Sequence, residues 1–143
     1  GEKASSVKAG YKMYDGRLML RRPGYSLEPH VDPRRSMLTA LMYMGTSSGS
    51  DDHGTKLFTS DRDLPAKYSG IYYPLREGAG CTLAKSVPCR RNSMLVFASR
   101  FGIHGADIPS DAEPSTLTRY TYHFFVGIKK AKKAVSHDSP DMH

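Results

Sequence analysis

Apolar residues in this chain fall in short runs cut by glycine, proline and small polar residues. They do not follow the three-to-four spacing of an amphipathic helix. Residues 11–20, YKMYDGRLML, read as two strand pieces around Asp15-Gly16, a hairpin-type turn signal. Arg21-Arg22-Pro23-Gly24 follows as a bend, and residues 25–31 form the next strand. That strand stops at Asp32-Pro33, because proline offers no N–H and restricts the residue before it. The strongest apolar run, SMLTALMYM at 36–44, is bounded by Pro33 and Gly45. It reads as a strand buried on both faces. A short helix is the competing reading, since Leu, Met and Ala are good helix formers.

Residues 46–54 read as a polar loop and 55–60 as a short strand. Residues 61–80 are irregular, with Pro65, Gly70, Pro74, Gly78 and Gly80, and they cluster Tyr68, Tyr72 and Tyr73. Such a segment is a loop or lid whose aromatics either contact a ligand or pack the loop onto the body. Two more strands are expected at 81–87 and 93–98, split by PCRRN, the second lying in the buried-looking run SMLVFAS. A loop follows over 100–116. Residues 117–128, LTRYTYHFFVGI, are rich in aromatic and β-branched side chains and form the last strand. Residues 1–9 are expected to fray, and 129–143 to form a polar tail that begins as a helical turn. The sum is about seven or eight short strands with little helix, an all-β sandwich or barrel.

A chain of 143 residues suits one domain with a real core. No run approaches the roughly 18 apolar residues of a membrane helix. No signal-peptide pattern opens the chain, although Gly1 in place of Met suggests a processed or cut chain. The net charge of +7 favours anionic partners. Much of it sits in KKAKK, and no RNP motif, zinc-finger spacing or basic-aromatic stripe accompanies it, so nucleic acid is not the expected partner. Cys81 and Cys89 have no CxxC partner set, which argues against structural zinc and for thiols in a reducing cytoplasm.

The chemistry centres on Pro-His-Val-Asp-Pro, residues 29–33. On an extended chain His30 and Asp32, two apart, leave the same face. His104 stands beyond the strand that ends near Ala98 and is followed by Gly105, a place where a loop can present a third ligand. Two imidazoles and one carboxylate make a facial triad with open positions, suited to non-haem Fe(II). On the last strand, alternation puts Arg119, Thr121, His123 and Phe125 on one face and Tyr120, Tyr122 and Phe124 on the other. The Arg119 fork suits a carboxylate, and the Thr121 hydroxyl can donate a further bond. His123 is expected to be a satisfied core histidine, and His53, His137 and His143 to be loop or tail residues.

These parts resemble the Fe(II)- and 2-oxoglutarate-dependent dioxygenases. The resemblance is carried by His30-Val-Asp32, then His104, then Arg119-Tyr-Thr121. GYSLEPHVDPRRSMLTALMYM, GTKLF and VPCRRNSMLVFASRFGIHGA look like the prolyl-4-hydroxylase-like branch, and together the likeness spans about residues 17–128. Asn92 stands where a turn glycine is expected, and the supporting N-terminal helices are missing, as in a truncated or minimal member. The resemblance implies a double-stranded β-helix, or jelly roll. It also implies Fe(II) on His30, Asp32 and His104, with 2-oxoglutarate held by Arg119 and Thr121. Tyr43 would hydrogen-bond the cosubstrate or pack the core. The implied reaction consumes O2 and hydroxylates or demethylates a small molecule or peptidyl side chain, and a carboxylate at Asp32 favours hydroxylation over halogenation. Arg34, Arg35, Arg100 and Tyr72 are candidate substrate contacts by position. Two further readings are a non-catalytic jelly-roll binding module and a nucleic-acid demethylase, the latter drawn only from the charge.

Overall fold

A computed structural model describes residues 10–48 and 53–129. The expected frayed start, most of the polar tail and part of the 46–54 loop lie outside them. Eight strands appear in chain order: β1 (Gly10–Arg21), β2 (Ser26–His30), β3 (Leu38–Thr46), β4 (Thr55–Ser60), β5 (Cys81–Val87), β6 (Ser93–Ala98), β7 (Ile103–Asp107) and β8 (Arg119–Lys129). A single 3-10 turn, Pro74–Glu77, interrupts the segment before β5. The strands form two four-stranded sheets, ordered β1-β8-β3-β6 and β2-β7-β4-β5, with every neighbour antiparallel. The all-β expectation therefore holds. No disulfide joins Cys81 and Cys89. Among the described residues no helix is long and apolar enough to cross a membrane.

The sheets face each other through side chains. Phe97 of β6 lies 4.7 Å from the His104 ring of β7, and Tyr43 of β3 donates to Thr55 Oγ1 of β4 at 2.6 Å. The tightest apolar cluster is Leu41, Tyr43 and Cys89, with Met19, Val87, Leu95 and Phe97 against it. On β8 the predicted alternation holds: Arg119, Thr121 and Phe125 are buried, while Tyr120, Tyr122 and Phe124 are only partly so. In the first sheet the outward positions are apolar yet exposed, including Met13, Leu18, Leu20, Met42, Met94 and Val96.

Four local expectations are corrected. Asp15-Gly16 does not reverse the chain. Both flanking pieces pair with β8, and the register shifts between Tyr14 and Arg17, so the dipeptide is a bulge in one long strand, with Asp15 at φ 53°. The run at 36–44 is not buried on both faces: Thr39, Leu41 and Tyr43 point inward, while Leu38, Met42 and Met44 are exposed. β6 behaves likewise, exposing Met94 and Val96. A continuous apolar run hides this alternation because its outward residues are also apolar. Finally, residues 103–107 are not loop but strand β7, which pairs with both β2 and β4.

Gly105 explains why β7 is easily missed. Glycine usually signals a turn. Here a Cβ at residue 105 would lie 2.7 Å from the Leu27 carbonyl oxygen, so glycine lets the β2 backbone come close. Asn92 does adopt the turn geometry expected in place of glycine, at φ 61°.

Gly105→Ala should therefore force β2 and β7 apart, costing about 1–3 kcal/mol in urea denaturation. A change within error would mean that the two strands are not held at this spacing.

Candidate metal centre

β2 and β7 run antiparallel, and His30 sits directly opposite His104 in their ladder. A register shift between Leu27 and His30 accommodates Pro29, which cannot donate to the ladder. The two rings lie 4.2 Å apart between centroids. Each ring is held by the carbonyl two residues earlier: His30 Nδ1 to the Glu28 oxygen and His104 Nδ1 to the Gly102 oxygen, both at 2.9 Å. A carbonyl only accepts, so both Nδ1 atoms carry hydrogen, and in a neutral ring this leaves Nε2 to present the lone pair. This is the second contact that orients a ligating histidine.

β2 ends at His30, and Val31 continues by bridging to Tyr72. Asp32 lies past the strand but still on the inner side. Its Oδ1 is 3.9 Å from His30 Nε2, and its Oδ2 is 3.6 Å from His104 Nε2. One ligand atom from each of the three residues falls within 4.8 Å of the others, and all three are buried. Thr39 of β3 donates to Asp32 Oδ2 at 2.5 Å and also contacts Ser99 Oγ at 2.9 Å. A buried carboxylate is costly unless it is paired. Two neutral nitrogen lone pairs and an anion turned toward one point suit a divalent cation, and the chain brings together the three residues nominated from sequence.

Burial pushes the His104 pKa down to about 4, and the neighbouring His30 adds to that shift. Burial also lowers His123, with Asp32 opposing and Arg17 and His30 reinforcing. The His104 imidazole is thus held in the neutral form that binds metal. The expectation of a satisfied core histidine at 123 is corrected: its Nε2 is buried with no hydrogen-bond partner among the described residues. It faces inward because β8 alternates, and on the β3–β8 ladder it lies between the Thr121 and Phe125 rungs.

Arg119, Thr121 and Tyr43 come together as the sequence predicts. All three are at most 3% exposed. Arg119 Nε donates to Thr121 Oγ1 at 3.2 Å, and Nη1 donates to the His53 and Gly54 carbonyls at 3.0 Å each. The guanidinium lies 5.9 Å from the Tyr43 ring, whose hydroxyl is pushed up by burial and bonded to Thr55. Sequence reasoning did not single out Thr39 and Thr55. The available signal was a hydroxyl at an inward position of an apolar strand, where a buried polar atom needs a partner.

The 61–80 segment latches onto the centre. Val31 and Tyr72 exchange two backbone hydrogen bonds, at 2.8 and 3.0 Å. Tyr68 donates to the Asp32 carbonyl at 3.0 Å, and the Tyr73 ring lies 5.7 Å from that of His30. Of the nominated substrate contacts, Arg34, Arg35 and Arg100 line one groove, while Tyr72 lies on a separate hollow with Tyr68 and Tyr73.

The lowered His104 pKa sets a pH dependence. In the unfolded chain a histidine titrates near 6.5. Between about pH 6.5 and 4 the unfolded state binds the proton and the folded state does not, so stability falls as pH drops through that window. The metal-free chain should show a falling Tm across it, and His104→Gln should flatten part of the slope. An equal slope in both would place the titration elsewhere.

Comparison with protein-family models, with curated proteins and with solved structures returned no match. What stands on geometry alone is a buried group, His30, Asp32 and His104, that could hold a metal ion.

Proposed function

We propose that this chain is an Fe(II)- and 2-oxoglutarate-dependent oxygenase that hydroxylates its substrate, built on a jelly roll. The observation that carries the reading is the triad itself: two imidazoles with Nδ1 already engaged and a carboxylate turned to the same point. The strand order supports the fold, because an eight-stranded jelly roll also divides its strands into two antiparallel sheets. Arg119 and Thr121 support the cosubstrate.

Each residue then has a role. His30, Asp32 and His104 would hold Fe(II), which with 2-oxoglutarate and O2 supplies the oxidising chemistry. Nδ1 bonds to backbone fix both rings, so no imidazole rotation is needed when a metal arrives. Thr39 holds one oxygen of Asp32 and so fixes the carboxylate plane. Arg119 would take the distal carboxylate of 2-oxoglutarate. Its Nε and Nη1 are already engaged with Thr121 and the 53–54 carbonyls, which immobilises the fork before the ligand binds. The latch of Tyr68, Tyr72 and Tyr73 excludes water from the His30 side.

Succinate release from 2-oxoglutarate should depend on added Fe(II). His30→Ala and Asp32→Ala should abolish saturable Mn(II) binding, used as a redox-inert stand-in, while keeping the strand signature in circular dichroism. Unchanged Mn(II) affinity would sink the assignment. Arg119→Ala should keep the metal but weaken 2-oxoglutarate roughly 10- to 100-fold, as expected for a lost charge-assisted pair. An unaltered cosubstrate affinity would mean that another cation holds that carboxylate.

A further inference from the structure

A groove of about 650 Å³ runs between the first half of β1 and the turn that follows Asp32. One wall is the first half of β1, with Lys12, Tyr14 and Asp15. The other is the turn after Asp32, with Arg34 and Arg35, joined by Arg100 beyond β6. Among the described residues that line it, Asp15 is the sole acid, and its carboxylate accepts Arg35 Nη2 at 2.7 Å. Among the described residues no carboxylate pairs with Lys12, Arg34 or Arg100. The described lining therefore carries three positive charges with no carboxylate opposite them, in a volume typical of small-molecule sites.

Its position ties it to the centre. Arg34 is two residues from Asp32, and its guanidinium lies 5.8 Å from the Tyr68 ring, whose hydroxyl donates to the Asp32 carbonyl. Arg100 directly follows Ser99, which contacts the Thr39 hydroxyl that holds Asp32. A ligand spanning Arg34 and Arg100 is thus docked against the structure that supports the metal-binding carboxylate.

The spread of charge identifies the ligand chemistry. One carboxylate needs one arginine fork, and three separate cations are more than it can use. A phosphate monoester, a diphosphate or a run of diesters carries several acceptor oxygens and more than one negative charge, and arginine forks fit such groups in bidentate fashion.

We propose that this groove is the substrate subsite of the metal centre and that it takes a phosphate-bearing substrate. The link to a metal centre rests on the oxygenase reading above, whereas the phosphate recognition does not. A short nucleotide-like ester and a nucleic-acid strand share this chemistry, and the groove recognises the phosphates of either.

The test uses the full chain without metal, at low salt, with two probes: a nucleoside diphosphate and a short single-stranded oligonucleotide. Titration calorimetry should show saturable binding that weakens as salt rises, as for any phosphate-directed contact. Arg34→Glu and Arg100→Glu should each weaken it at least about 10-fold, and Lys85→Glu, on the exposed face of β5, less than about 2-fold, in line with screening of distant surface charge. Arg100→Gln serves if charge reversal perturbs folding. An oligonucleotide that binds far tighter than the diphosphate identifies a polymer, and equal affinities identify a small ester. Either result supports the groove. No saturable binding of either probe, or an equal loss in Lys85→Glu, overturns it. Mn(II) binding measured on the same preparation separates the two readings: its absence removes the oxygenase without touching the phosphate result.

Discussion

The pairing of His30 with His104 across the β2–β7 ladder is the constraint on which the centre depends. Backbone hydrogen bonds set the distance between the two imidazoles before any ligand arrives. Gly105 permits the close approach of the strands, and the shift at Pro29 brings His30 into phase. The carbonyls of Glu28 and Gly102 then choose the tautomer. Metal affinity gains when such geometry is prepaid in folding, because binding need not order the ligands again. Asp32 depends on the same ladder, since only one residue separates it from the end of β2.

The space between the sheets is given over to polar ties as much as to apolar packing. Thr39 to Asp32, Tyr43 to Thr55, and Arg119 to the 53–54 carbonyls each connect the first sheet to the second sheet or to the segments that flank it. The apolar cluster at Leu41, Tyr43 and Cys89 is small by comparison. Buried hydrogen-bonded groups add little net stability but cost much when left unpaired. Such an interior specifies one arrangement of the two sheets and leaves little tolerance for substitution. Among the described residues it also leaves His123 Nε2 buried without a partner.

Much of this was legible in the sequence, and the failures have physical causes. His30-Val-Asp32, Arg119 and Thr121 were readable because strand alternation fixes which side chains share a face, and His104 because a second imidazole followed by glycine stood beyond a strand end. β7 was hidden because Gly105 serves close approach, and the sequence signal for that is the signal for a turn. Asp15-Gly16 was misread for a similar reason: a bulge and a hairpin use the same residues, and only the long partner β8 decides between them. The outward methionines of β3 and β6 look like core because periodicity cannot see which face meets solvent when both are apolar. Tyr72 was nominated for its side chain, and its backbone pairing with Val31 adds a tie that no composition argument can reveal.

The register of His30 against His104 also governs how such a chain can change length. Side chains on a strand alternate with period two, so one residue inserted within β7 would turn His104 outward and dismantle the triad. Insertions in the loops between β2 and β7 would leave that pairing untouched. Variation by insertion and deletion is therefore free to reshape the surroundings of the centre, including the segment latched onto it, while the length of the five-residue strand β7 is fixed.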